Sequence, residues 1–370
     1  MLIAYNKQKL ILADNATKDN EFKCPCCNQR VILRCGTIKT PHFAHRSKAE
    51  CNSFSEGETK EHLLGKKQLF QFFLELKPQL EYYFTNLKQR PDIRLSGSKL
   101  IEFQCSPISN QRLSERLCGY RSIAHESIWI LGSPYLKKRN SILKLKKFLR
   151  YNINLGFYLL YWDINSNHME IHHHFRLLLG QIQYDVQFIK TLSELKKLFN
   201  QKNIVKHSLN PTAVKFKLTK RITNFQKQVI LNQDRMNAVQ NLCYQYQFNY
   251  VGYPLSLDYP IFEAPILGYQ LINFKIVALI FLKNQSKMEI SNLINRVNHF
   301  LNIDQDFYMI NDKIINFFII RIFQQWVKLG FAKTNRQYIK LVDMPKWYSS
   351  YDDKINSINY FMSIFVNKKG

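Results

Sequence analysis

Apolar and polar positions change rhythm several times along this chain, and each change marks an element. Leu2 to Tyr5 and Lys9 to Leu12 alternate on either side of a short polar break, which predicts a β-hairpin, and Asn28 to Leu33 reads as a further strand. From Glu58 the period lengthens. Leu63, Leu64, Leu69, Phe70, Phe72 and Phe73 supply the apolar positions of a helix, and Glu58, His62 and Lys66 recur at i, i+4 and i+8. Arg90 to Arg94 and Leu100 to Cys105 then read as two strands, with Ser96-Gly97-Ser98 as the turn between them. A polar, basic stretch from Ser109 to Ala124 carries Leu113, Leu117 and Tyr120 at helical spacing. Ser127 to Leu131 follows as a buried strand ended by Gly132 and Pro134. The order is helix, strand, strand, helix, strand.

Beyond this, Phe157 to Trp162 and His168 to Phe175 flank Asn165-Ser166-Asn167 and predict another hairpin. The remainder is mainly helical by periodicity, over Leu192 to Asn200, Lys220 to Tyr246, Lys287 to Leu301 and Asp312 to Leu329. Val251 to Pro265, rich in Gly and Pro, is the clearest loop. A basic run from Lys137 to Arg150, with Ile142, Leu145, Phe148 and Leu149 as its apolar positions, predicts a connecting helix. A length of 370 residues implies two or three domains. The expected class is multidomain α/β: a small β-rich module over 1–54, a core with a mixed sheet over 55–135, and a basic, mainly helical region over 136–370 with a hairpin near 156–175.

Charge adds a partner. The 53 Lys and Arg against 27 Asp and Glu leave +26, roughly half of it before Tyr151, so both halves can meet a polyanion, of which nucleic acid is the simplest. A coding bias toward Lys, Asn, Ile, Phe and Tyr also makes a basic surface. Tyr244, Tyr246, Phe248, Tyr250 and Tyr253 among basic residues can stack bases, or simply fill a core. Lys7, Lys9 and Asp14 interrupt any leader-like apolar stretch. The longest apolar runs, Leu271 to Leu282 and Ile314 to Phe323, are too short and too polar for a bilayer, which needs about 20 apolar residues. A cytoplasmic protein without a membrane span is expected. No P-loop or repeat is present, so ATP-driven work is not expected.

Two constellations carry candidate chemistry. Asp92 and Glu102 lie on the two paired strands, and Glu102 is set in the apolar run Leu100, Ile101, Phe103, where an unpaired carboxylate is costly and calls for a cation. Such a pair can hold Mg²⁺ or Mn²⁺ against a phosphodiester. Separately, Cys24 and Cys27 form a C-x-x-C knuckle followed by His42, His45 and Cys51, ligands that suit a tetrahedral structural Zn²⁺. Five candidates compete for four places; Cys24, Cys27, His45 and Cys51 are the expected set, with His42 as the substitute. Cys26, Cys35, Cys105, Cys118 and Cys243 lack paired spacing and are expected to be small buried or neutral thiols. His168, Glu170, His172 and His174 share one strand face at period two, which can bind a metal or simply face solvent.

The order of elements, with Pro91-Asp92 on one strand and Glu102-Phe103-Gln104 on the next, resembles the PD-(D/E)xK restriction-endonuclease-like fold. That resemblance implies catalytic metal on Asp92 and Glu102 and a water-assisting role at Gln104, where a Lys is commonest. Gln104 can orient a water but is no cation, and Lys66, one helix away, is the candidate for the missing charge. Glu58 or His62 would complete the site. Cys24-Pro25-Cys26-Cys27, Thr40-Pro41-His42-Phe43-Ala44-His45, Cys51, Glu58-Thr59-Lys60-Glu61-His62 and Ile101-Glu102-Phe103-Gln104-Cys105-Ser106-Pro107 together resemble the CoiA competence family. Membership implies a cytoplasmic factor that acts on incoming single-stranded DNA alongside a RecA-type recombinase during natural transformation. Two functions follow: a Mg²⁺- or Mn²⁺-dependent deoxyribonuclease acting on single-stranded or branched DNA, or a non-catalytic single-stranded DNA-binding mediator of strand exchange.

Overall fold

The computed structural model describes residues 1–36, 40–46, 51, 58–137, 145–201, 210–231, 234–260, 262–285, 287–303, 307–335 and 337–367. The chain divides into two compact units. The first comprises Met1–His173, Asp185–Asn203 and Phe307–Met309, and the second the rest.

The first unit begins with five short strands: β1 (Ile3–Asn6), β2 (Lys9–Leu12), β3 (Phe22–Lys23), β4 (Arg30–Arg34) and β5 (His42–His45). They form an antiparallel sheet in the order β2-β1-β3-β4-β5. Its core is small. Met1, Ala4, Phe22, Val31 and Phe43 are among its buried apolar members, with Phe22 and Phe43 ring to ring at 4.8 Å.

Helix α1 (Lys60–Phe72) follows, capped by Thr59, whose side chain accepts the His62 N–H at 3.2 Å. It buries Leu63, Gly65, Lys66 and Leu69. Strands β6 (Gln79–Leu80), β7 (Ile93–Leu95) and β8 (Lys99–Gln104) form an antiparallel meander. The β7–β8 turn is possible because Gly97 and Ser98 both take positive φ. Helix α2 (Asn110–Ser122), capped by Ser109, crosses to β9 (Glu126–Leu131), which pairs in parallel with β8.

The sheet does not end there, so the core boundary expected at residue 135 moves downstream. After α3 (Ser133–Leu136), β10 (Arg150–Asn152) pairs with β11 (Gly156–Asp163), and β11 joins β9 in parallel through Tyr161 and Leu131. The hairpin of β11 and β12 (His168–Leu178) forms as the sequence predicts, and β13 (Gln181–Ile189) and helix α4 (Leu192–Asn200) follow. The sheet order is β13-β12-β11-β9-β8-β7-β6. Apolar contacts recruit the added strands: Tyr158, Leu160, Trp162, Met169 and Ile171 share one core with Leu63, Leu69, Ile93, Ile101, Phe103 and Ile130. The connecting helix expected over 137–150 lies largely outside the described residues, and its end is corrected: Lys146–Phe148 is a 3₁₀ turn and Arg150 opens a strand.

The second unit is mainly helical. Pro211–Ile230 and Asp234–Gln245 are separate helices where one continuous helix over Lys220 to Tyr246 is expected from periodicity, and Lys287–Glu289 is a strand before the helix Ile290–Leu301. Leu271–Asn284 is buried on nearly all sides, which explains its unbroken apolar run. Its buried Lys275 is met by Glu263 and by the Leu257 carbonyl at 2.7 Å. Tyr250 and Tyr253 are core residues, Tyr244 is exposed, and Phe248 stacks on Trp347 at 4.1 Å. Cys118 is exposed, because it falls outside the inward stripe of α2. No helix among the described residues is long and apolar enough to cross a membrane.

Candidate active site and metal centre

Asp92 immediately precedes β7. The Ile93–Ile101 pairing in the antiparallel β7–β8 ladder therefore sets Asp92 opposite Glu102, on one face of the sheet. The two acids nevertheless have different partners. Asp92 Oδ2 accepts the backbone N–H of Phe103 at 2.8 Å and lies 3.1 Å from His62 Nε2. Burial opposes ionisation of Asp92, but His62 and Lys66 hold it well below the usual carboxylate range. Glu102 is only 4% exposed and is met at Oε1 by Arg116 and by the Tyr120 hydroxyl. Burial pushes its carboxyl up more than Arg116 pulls it down.

Helix α1 brings the other acidic group. The Thr59 cap starts the helix so that Glu58 stands just before it and His62 on its first turn. One ligand atom each from Glu58, His62 and Asp92 lies within 4.8 Å of the others. Glu102 is not part of that cluster, although it lines the same cleft together with Arg90, Gln104, Arg112 and Arg116. Gln104 Nε2 donates to the Ser106 carbonyl at 2.6 Å, which commits the amide nitrogen and turns its role toward accepting. Two carboxylates and an imidazole can hold a divalent cation, and the imidazole favours Mn²⁺ over Mg²⁺.

Lys66 is fully buried. It pairs with Glu58, with Glu81 at 2.5 Å, and stands 3.7 Å from Asp92 Oδ1. Glu81 also accepts the Leu2 N–H at 2.9 Å, while the Met1 nitrogen lies 2.6 Å from Glu58 Oε2. These contacts tie the N-terminal sheet to the floor of the site. Lys66 thus neutralises the acids from behind and is not among the residues lining the cleft.

Four participants escaped the sequence reading. Arg116 and Tyr120 are members of the buried stripe Leu113, Arg116, Leu117, Tyr120, and an arginine at an inward position of an amphipathic helix is a legible sign of a buried acid nearby. Arg90 sits beside Pro91 in the strand motif, and burial is outweighed by Glu81 and Glu58, which raise its pKa. Glu81 carries no local pattern that marks it.

The second constellation lies in the N-terminal sheet. The turn after β3 is closed by Cys24 N–H to the Gln29 carbonyl at 2.8 Å, with Asn28 at positive φ, and it presents Cys24 and Cys27. Strand β4 leads to β5, whose last residue is His45. Cys24 Sγ and Cys51 Sγ are 3.9 Å apart, and Cys27 Sγ is 3.2 Å from His45 Nε2. All four ligand atoms fall within 4.8 Å of one another, a Cys₃His cluster that can hold a metal ion. His42 is not among them; its Nδ1 meets the Thr40 carbonyl at 2.8 Å. The hydrogen bond from the Cys26 side chain lowers the Cys24 thiol to about 4, despite burial, so this ligand is poised as a thiolate.

An α/β domain with a central mixed sheet, behind a small Cys₃His sheet, is the class that fold and site define. The chain belongs to the competence protein CoiA family: the family's N-terminal domain model matches residues 4–54 and its nuclease-like domain model matches residues 58–203. Competence protein CoiA of Bacillus subtilis (strain 168) is 33% identical over 146 residues, which cover 38% of this chain and 37% of that protein. The alignment thus spans little more than a third of the relative's length. No solved structure matches the chain.

Proposed function

We propose that this chain is a divalent-metal-dependent deoxyribonuclease that processes incoming or recombining DNA during natural transformation. The observation that carries this reading is the convergence of Glu58, His62 and Asp92 within 4.8 Å, in a cleft also lined by Glu102 and Gln104. Glu58, His62 and Asp92 would hold Mg²⁺ or Mn²⁺, which when bound supplies Lewis-acid polarisation of a phosphodiester and a lowered pKa for water. The Phe103 N–H fixes one Asp92 oxygen, and Lys66 fixes Glu58, so both carboxylates are oriented in advance. Gln104, its nitrogen engaged by Ser106, uses Oε1 to orient the attacking water. With no lysine at that position, stabilisation of the phosphate charge falls to Arg112 and Arg116 in the same cleft. The net charge of +26 supports DNA as the partner, in single-stranded or branched form, and Zn²⁺ is the fitting occupant of the Cys₃His cluster, with a structural role. A cytoplasmic location and work beside a RecA-type recombinase follow from the family reading.

A second reading is favoured by one observation. Glu102 is paired with Arg116, and Glu58 and Glu81 with Lys66, so the acids already have protein cations. On that reading the chain is a non-catalytic mediator that holds single strands for a recombinase. Purified chain incubated with single-stranded, duplex and flapped DNA and Mg²⁺ or Mn²⁺, beside Asp92→Ala and His62→Ala, separates the two. Cleavage lost in both variants supports the nuclease. Cleavage unchanged in both, or salt-sensitive binding without cleavage, overturns it, and the latter outcome favours the mediator.

A further inference from the structure

The hairpin of β11 and β12 carries a second group of ligands, on the same unit but separate in residues from both constellations above. Asp163 and His168 are cross-strand partners at the turn, and Glu170 follows His168 by two along β12, on the same face. One ligand atom from each of Asp163, His168 and Glu170 lies within 4.8 Å of the others. His168 Nε2 stands 3.9 Å from Glu170 Oε1. That is too long for a hydrogen bond, and it is a span that an ion about 2.0–2.2 Å from each ligand can bridge.

Further observations point the same way. His168 Nε2 is enclosed and has no hydrogen-bond partner, which is unusual for a buried imidazole nitrogen and leaves a lone pair available toward the carboxylates. Phe188 packs edge-on against the His168 ring with centroids 5.2 Å apart, which limits its reorientation toward water. On the far side, His172 Nε2 lies 3.2 Å from Glu170 Oε2 and positions that carboxylate, as a hydrogen-bonded neighbour commonly does for a metal ligand. Asp163 uses Oδ1 to accept the Asn165 N–H at 2.9 Å, and Ser166 also hydrogen-bonds the carboxylate, an arrangement that holds the side chain over the turn.

We propose that Asp163, His168 and Glu170 bind a first-row divalent ion of the Zn²⁺ type, with His172 as a positioning residue. Two oxygens and one imidazole suit such an ion, and three protein ligands leave a coordination position for water or for a phosphate oxygen.

Cobalt distinguishes this site from the others. The full chain, stripped with chelator and titrated with Co²⁺, is expected to bind one equivalent with an intense thiolate charge-transfer band, from the Cys₃His cluster. Further equivalents, at the Asp92 cleft and at the hairpin, should give only the weak visible bands of nitrogen and oxygen ligation. His168→Ala and the near-isosteric Asp163→Asn should each lose one weak-band equivalent that Asp92→Asn retains, and the thiolate band should stay intact in all three variants, which also reports that the unit is folded. The proposal is overturned if both hairpin variants keep the weak-band stoichiometry of the parent, or if Asp92→Asn retains no weak-band equivalent.

Discussion

Arg116 and Tyr120, one helical turn apart on α2, donate to the same oxygen of Glu102, so a single carboxylate atom on β8 anchors the helix to the sheet. The pair is buried, and burial sets its energetics. A carboxylate that loses its only full counter-charge in such a place costs more than the pair was worth.

Arg116→Met is therefore expected to lower stability by about 3–5 kcal/mol in denaturant unfolding at neutral pH. The double variant Arg116→Met with Glu102→Gln should recover part of that loss, because no buried charge is left unmatched. If the single variant unfolds within about 1 kcal/mol of the parent, the ion pair does not anchor the helix.

Acid should weaken the first unit in a defined window. Burial alone would raise the Glu81 carboxyl, but Lys66 holds it down, from 4.5 to about 2. Asp92 and Glu58 are likewise held low, against burial, chiefly by His62 and Lys66 respectively. A lowered folded pKa contributes stability that is present above the unfolded value and lost as pH falls through the folded one. The unfolding midpoint in urea should thus drop steeply from pH 4.5 toward about 2. Glu81→Gln should flatten that dependence while reducing stability at neutral pH. Glu102, raised by burial, works in the opposite sense and tempers the slope.

Gly65 allows α1 to approach β8. A Cβ there would fall on the Phe103 ring, which also stacks on His62 with centroids 6.0 Å apart. Gly65→Ala should cost about 1–3 kcal/mol by overpacking and disturb the His62 to Asp92 contact, whereas Gly119→Ala, which meets the end of the Gln89 side chain, should cost less. Thermal melts of the two variants side by side provide the comparison.

Thiol reactivity should follow burial. Cys118 is exposed and should be alkylated in the native chain, while Cys105 and Cys243 should react only in denaturant. Burial raises both of those thiols, Cys243 to about 12. Peptide mass mapping after timed labelling reads the order directly, and early labelling of Cys243 would show that its region opens.

Much of the site is local in the chain and was therefore readable. Glu58 and His62 are four apart across the capped start of a helix, and Asp92 and Glu102 flank a tight turn, so local geometry already brings each pair together. The same holds for the Cys24 to Cys27 turn. The sequence ranks His45 ahead of His42, and the tertiary contacts supply the physical reason: the β4–β5 pairing carries His45 to the sulfurs while His42 meets a backbone carbonyl.

What the sequence by itself determined was the elements that carry the site and the residues that share a face within each, because side-chain direction repeats at 3.6 residues in a helix and 2 in a strand. Which acid would meet which cation was decided only by the tertiary structure. Lys66, Glu81 and Arg116 reach their partners across different elements, and burial then converts those encounters into strong pairings and shifted pKa values. Likewise the parallel pairing of β11 with β9, which extends the core past residue 135, joins segments about thirty residues apart. Such contacts come from packing a common apolar layer, and no short stretch of sequence contains that information.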